Sequence, residues 1–325
     1  MKFTTKEKIA KSIFFILLWP INAMLNSLLY IANTFILCRF NESIGDALCM
    51  TATINKVHEF GFKKIIVITR YPMFFYGNKK IDKIIQFKKI EKGVLNTFLN
   101  MFFDAMNGKN FAVFSSNYFD GGYESYLKET KAKLSLVQVH SYHFKRKFDF
   151  KGESPRVYFL DGEISELERK FSSLPEKFSL VCPVGVTTYT PNKEWGFNNY
   201  QEVVNKTPSI NWIQTGISTD PLLNNALDFR GKTSLRELAY IMSKAQFVLC
   251  GEGLLNHLAA SVGTKSFVIF TGFNDPSIAN YETTTPITAK VMPDCAPCWL
   301  QTPCPCLNDI CMIGITTSMV VECIT

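Results

Sequence analysis

The sequence has little that reads cleanly as a membrane span. A spanning helix needs roughly 20 apolar residues, and the best stretch, residues 13–38, is interrupted by Pro20, Asn22, Asn26, Ser27 and Asn33. A small-residue cleavage site is missing as well. Lys2, Lys6, Lys8 and Lys11 ahead of the apolar residues 13–19 therefore do not make a signal peptide. No Asp-x-Asp pair is present to clamp a divalent ion on a diphosphate, and no short-period repeat is visible. The spacings of a zinc finger or a recognition helix are absent too, which argues against nucleic acid as a partner.

What is present fits a two-domain globular chain. Its 325 residues are 47% hydrophobic, too many for one ordinary core. The net charge of +7 is uneven: residues 1–172 hold 26 Lys and Arg against 16 Asp and Glu, whereas residues 173–325 hold 9 against 12. A basic half beside a mildly acidic one implies an anionic partner for the first half. Asn22, Asn26 and Asn33 recur at i, i+4 and i+11, on one face of a helix. Residues 1–34 are thus expected to form an amphipathic helix on an anionic membrane surface, with packing on the first domain, or a true span, as alternatives. Cys38, Cys49, Cys182 and Cys250 sit singly in apolar runs, as buried small hydrophobes do. The other six cysteines crowd the region after residue 294, a pattern unlike a disulfide scaffold and consistent with a cytoplasmic setting.

The chain alternates strand-like and helix-like patterns, which predicts parallel sheets. Strands are expected at 35–40, 64–69, 110–115 and 134–139, with a helix at 46–60 and a basic amphipathic stretch of six lysines at 79–92. A linker is expected between about 150 and 175. The pattern then restarts, with strands at 178–184, 210–215, 246–250 and 265–271, and helices at 198–205, 234–243 and 254–262.

Three stretches of the second half carry chemistry. Gly185, Thr187 and Thr188, then Lys193-Glu194-Trp195, follow a strand, where hydroxyls, backbone N–H groups and a lysine suit phosphate oxygens. Gly231-Lys-Thr-Ser-Leu235 is a turn with a helix cap, Thr233 or Ser234. Gly251-Glu252-Gly253 lies between a strand and a helix, with His257 one turn in; the free N–H groups and dipole of that helix suit a pyrophosphate. In the first half, Gly45-Asp46 marks a strand-to-helix turn. Asp46 there is either a cap or a general base, or both, with Glu42 one turn upstream in reserve.

Together these residues resemble the heptosyltransferases, glycosyltransferase family 9, from about residue 36 onward. The resemblance implies a GT-B architecture: an α/β fold of two Rossmann-like domains facing across a cleft, an acceptor domain at 35–160 and a nucleotide-sugar domain at 161–325. It implies Asp46 as the base, and Thr187, Thr188, Lys193, Glu252, Gly253 and His257 around the donor. It implies an inverting transfer of a sugar, a heptose among the candidates, from a nucleotide-diphosphate sugar to a lipopolysaccharide core or another lipid-linked or oligosaccharide acceptor. No cofactor is required for that catalysis. One departure is Leu254, where many members carry a further glycine. The cysteines 295, 298, 304, 306 and 311 resemble the tail of a cysteine-rich subset of the family. Their short spacings also suit a structural zinc, the alternatives being reduced thiols packing a loop or disulfides. A peripheral place on the inner face of the cytoplasmic membrane follows from the basic half. The rival readings are a non-catalytic sugar-nucleotide-binding scaffold and a nucleotide-sugar epimerase of the same architecture.

Overall fold

The computed structural model describes residues 5–39, 43–87, 94–114, 133–142, 144–185, 190–279, 281–305 and 310–325. The chain divides into two units, Met1–Glu153 and Ser154–Thr325.

The first unit runs α1 (Thr5–Ile31), β1 (Thr34–Cys38), α2 (Ile44–Glu59), β2 (Lys64–Thr69), β3 (Lys83–Gln86), α3 (Val94–Met106), β4 (Phe111–Val113) and α4 (Leu136–Ser141). Its sheet is parallel throughout, in the order β3-β2-β1-β4. Central β1 faces helices on both sides. Its residues are therefore apolar in succession rather than in alternation, with Leu37 opposite Val67 and Ala112. Two expectations change here. Residues 136–141 form a helix, not a strand, because Ser135 and Gln138 make a capping box that decides the local conformation against Val137 and Val139. The lysine-rich stretch contributes the edge strand β3, which Lys83 opens.

Pro20 does not divide α1, which is one helix of 27 residues. By length and composition its segment Ser12–Ile31 could cross a membrane. In the structure it packs on the unit between Phe14 and Leu29. Phe14, Leu18, Leu25 and Leu29 join a cluster with Met106, Phe111 and Val113, and Phe14 meets Phe98 edge-on at 5.3 Å. Asn22 donates to the carbonyls of Ala105 and Asn107, and Asn26 Oδ1 accepts from Asn110 N–H at 3.0 Å. The Asn22 and Asn26 side chains thus face the protein, and Asn33 lies beyond the end of the helix.

The second unit runs α5 (Glu163–Lys170), β5 (Ser179–Cys182), α6 (Phe197–Lys206), β6 (Trp212–Gln214), β7 (Ala226–Asp228), α7 (Leu235–Lys244), β8 (Val248–Gly251), α8 (Leu254–Ser261), β9 (Ser266–Ile269), β10 (Thr284–Ile287), α9 (Ile310–Ile313) and α10 (Thr317–Ile324). Its six parallel strands are ordered β10-β9-β8-β5-β6-β7, the doubly wound Rossmann order when counted from β5. Trp212, Phe247 and Phe267 stack edge to face inside it at 5.2–5.6 Å. The expected linker carries α5, which belongs to this unit: Arg236 on α7 holds Glu163 at its first turn.

Candidate functional site

In open parallel sheets, ligands bind beyond the carboxyl ends of the strands where the strand order reverses. Each unit has one such point, between β1 and β4 in the first and between β5 and β8 in the second.

Asp46 lies at the first of them. The Ser43 hydroxyl caps α2 by accepting from Asp46 N–H at 3.3 Å, which sets the carboxylate in the first helical turn, where the dipole favours its charge. Asp46 is not alone there. Arg39, the residue after β1, donates Nη2–H to Asp46 Oδ2 at 2.7 Å. His140 on α4 places Nε2 3.1 Å from Oδ1, and its Nδ1 lies 2.9 Å from Arg39 Nη1. A guanidinium only donates, so Nδ1 accepts and Nε2–H donates to the carboxylate. Phe114, following β4, stacks on the imidazole with centroids 4.7 Å apart. The side chains of Arg39, His140 and Asp46 are 2%, 0% and 15% exposed. Burial on its own would raise the Asp46 pKa. The Arg39 charge and the contact with His140 override it and hold the carboxyl well below the usual carboxylate range. Sequence reading found Asp46 and missed both partners. The available signal was a cation ending an otherwise apolar strand; nothing local pointed to His140, 101 positions from Arg39. Glu42, the reserve candidate, lies outside the described residues.

The second switch point gathers Lys193, Glu252 and Gly253. Gly253 opens α8 without a side-chain cap, at φ 155°, a region essentially open to glycine alone. The first N–H groups of α8 are thereby left facing the loop. Lys193 ends a short turn, Pro191–Lys193, and its Nζ lies 2.5 Å from Glu252 Oε2 and 5.0 Å from the centre of the Phe273 ring. Burial opposes ionisation of Glu252, and Lys193 outweighs it, so the carboxyl stays below its ordinary value. Asn274 Nδ2 donates to Glu252 Oε2 at 3.0 Å, and Trp299 Nε1 donates to Asn274 Oδ1 at 2.9 Å. His257 is buried, with Nδ1 2.6 Å from the Tyr281 hydroxyl, while the Glu252 carboxylate is taken by Lys193 and Asn274. Thr187 and Thr188 lie outside the described residues.

The cysteine-rich tail meets this site, which the sequence did not suggest. Cys298 N–H bonds Gly272 O at 3.1 Å and Trp299 N–H bonds Phe273 O at 3.2 Å. Buried Asn192, next to Lys193, donates to the carbonyls of Leu300 and Thr302 at 2.7 and 2.8 Å and accepts from Cys304 N–H at 3.1 Å. The tail thus braces the turn that carries Lys193. Burial and the nearby thiols of Cys304, Cys298 and Cys295 push the Cys311 thiol up. Among the described residues all cysteines are free, and no three His, Cys, Asp or Glu stand together closely enough to hold a metal; Cys306 is not among them.

An anion of two phosphates fits the second site: a lysine, uncapped helix N–H groups and a close backbone approach converge there. The glycosyltransferase family 9 (heptosyltransferase) profile matches residues 122–303, more than half of the chain and all of the second site, though not Asp46. Among solved structures, a glycosyl transferase family 9 protein from Veillonella parvula is similar with a TM-score of 0.62 at 13% identity, covering 89% of this chain and 95% of that one. ADP-heptose lps heptosyltransferase II of E. coli is similar at TM-score 0.57 and 11% identity, covering 89% and 97%. The iron-containing dodecameric glycosyltransferase TibC of enterotoxigenic E. coli is similar at 0.58 and 14%, covering 89% and 76%. No curated protein matches in sequence. The fold is GT-B, and the chain belongs to glycosyltransferase family 9, the heptosyltransferases.

Proposed function

We propose that this glycosyltransferase inverts the anomeric centre of a nucleotide-diphosphate sugar, a heptose first among the candidates, as it transfers the sugar to a lipopolysaccharide core or another lipid-linked or oligosaccharide acceptor at the inner face of the cytoplasmic membrane. The observation that carries the donor half is Lys193 beside the uncapped start of α8, at the switch point of a Rossmann-ordered sheet. E. coli heptosyltransferase WaaC has been solved with ADP and with an ADP-heptose analogue, which supports the donor class.

In this reading the acceptor oxygen forms its bond to the anomeric carbon as the bond from that carbon to the diphosphate oxygen breaks. The leaving charge is met by Lys193 and the N–H groups of α8. Asp46 takes the acceptor proton. A carboxylate stabilised by Arg39 and His140 is a weak base toward a resting alcohol. It therefore accepts the proton late, when bond formation has made the hydroxyl acidic. Arg39 and His140 act here as positioning residues.

For the tail, a structural metal is the finer reading, with zinc the usual choice for thiolates. It rests on the short spacings of Cys295, Cys298, Cys304, Cys306 and Cys311 and on the iron-containing description of TibC. Metal analysis of the purified chain tests it, and metal-free protein with an intact fold rejects it. The donor reading is tested by melting shifts with ADP-, GDP-, UDP- and CMP-sugars. One nucleotide class should stabilise the protein clearly above the others; no shift with any of them would refute the reading.

A further inference from the structure

A surface helix usually buries its apolar stripe and turns its polar residues to water. α1 departs from this on its outer side. Two asparagines are bound to the protein, while Ile16, Leu17, Trp19, Tyr30 and Ile31 are 69–80% exposed. Single exposed apolar residues are ordinary, but a contiguous face of this size marks an interaction site. Beside it runs a groove of about 1150 Å³, lined by Trp19 and Tyr30 on one side and by Lys109, Lys145 and Arg146 on another. Arg146 is held in place there: its Nε donates to Lys109 O at 3.0 Å, and its guanidinium lies 4.9 Å from the centre of the Phe62 ring.

We infer that α1 seats the protein on an anionic phospholipid bilayer, with the outer apolar face in the acyl boundary and the cations of the groove on the lipid phosphates. The inference deepens, and rests on, the peripheral location proposed above. Charge complementarity selects the occupant. The first 172 residues carry ten more basic than acidic side chains, which attract an anionic surface. A second copy docked by the same face would set this cationic rim against itself. Trp19 and Tyr30 suit the headgroup depth, where aromatic side chains with a polar atom collect. The helix lies along the unit rather than leaving it as a span, because Phe14, Asn22, Asn26 and Leu29 hold it to α3 and to the residues before β4.

The test is flotation of the full chain with vesicles of phosphatidylglycerol and phosphatidylcholine, against phosphatidylcholine alone, with binding of a nucleoside diphosphate measured on the same samples. The protein should float with the anionic vesicles only. The Leu17→Asp/Met24→Asp variant, at two exposed positions, should bind them at least about tenfold more weakly. Lys109→Glu/Lys145→Glu should weaken binding as well, and both variants should keep parental melting and nucleotide binding. Equal binding to neutral vesicles, or parental binding by either variant, overturns the inference. So does a parental dimer that Leu17→Asp/Met24→Asp converts to monomer, which would assign the face to a second copy. Loss of nucleotide binding with vesicle binding intact would instead count against the donor reading alone.

Discussion

At the scale of single residues, Asp46 and Lys193 make opposite demands on their surroundings. The cap of α2 is Ser43 and not Asp46, so Asp46→Asn leaves the helix start intact, keeps the shape and still offers an oxygen to Arg39. Turnover should nevertheless fall by a hundredfold or more, with nucleotide affinity in the second unit unchanged. The buried Arg39 loses its counter-charge, so the variant should also melt lower. Breaking a buried pair costs roughly 3–5 kcal/mol, less here because Asn still accepts a hydrogen bond. Turnover must therefore be measured well below the variant's melting point, and near-parental rates there would remove Asp46 from the reaction. His140→Ala tests the positioning role through pH. A base works when ionised, so its rate falls as pH drops through its pKa in the folded protein. With His140 and Arg39 in place that pKa is depressed. Without His140 it rises, and the acid limb of kcat should move to higher pH, whereas a purely structural role predicts a lower rate with an unmoved limb. Lys193→Ala removes a charge-assisted contact worth roughly 1.5–3 kcal/mol, or about ten- to a hundredfold in kcat/KM for the donor. Parental kinetics would clear Lys193 of that role.

At the scale of elements, the turns proposed to hold the donor were legible and their supports were not. Glu252 and Gly253 sit in a two-residue strand-to-helix connection and Lys193 ends a short turn opened by Pro191, where type and spacing of residues nearly determine geometry. Arg39 and His140 meet across the sheet from distant positions, and no local pattern encodes that pairing. The reading of 134–139 as a strand failed because β-branched residues were weighed above the Ser135–Gln138 capping pair. The asparagine face of α1 was found, but a helical wheel shows that a face is polar and not which way it points. Asn192 is the support most open to test. Its side chain gathers three backbone groups of the loop 300–304, so Asn192→Ala should loosen the turn of Lys193. Donor KM should rise severalfold with little change in kcat. Equal losses in both, or none, would show that the brace does not set the lysine.

For the whole molecule, two sheets with separate cores predict two melting transitions rather than one. A nucleotide held only by the second unit should move one of them. At a hundredfold excess over its Kd, binding stabilises by about 2.7 kcal/mol, or roughly 5–10 °C for a unit of this size. Calorimetry with and without nucleoside diphosphate checks this, and a single transition that shifts as a whole would show the units to be one cooperative body. The strand order of the second sheet has a further consequence, for the order of events during synthesis. β5 is made first yet stands in the middle, between β6 and β8. A ribosome releasing the chain at about 5–20 residues per second has already exposed Lys193 some seconds before residues 300–304 emerge to brace it. The nascent sheet can close once β8 and β9 are out, but the turn proposed to receive the diphosphate is finished only when the cysteine-rich segment folds back onto Asn192. Maturation of the proposed sugar-donor site therefore trails the folding of the domain that carries it.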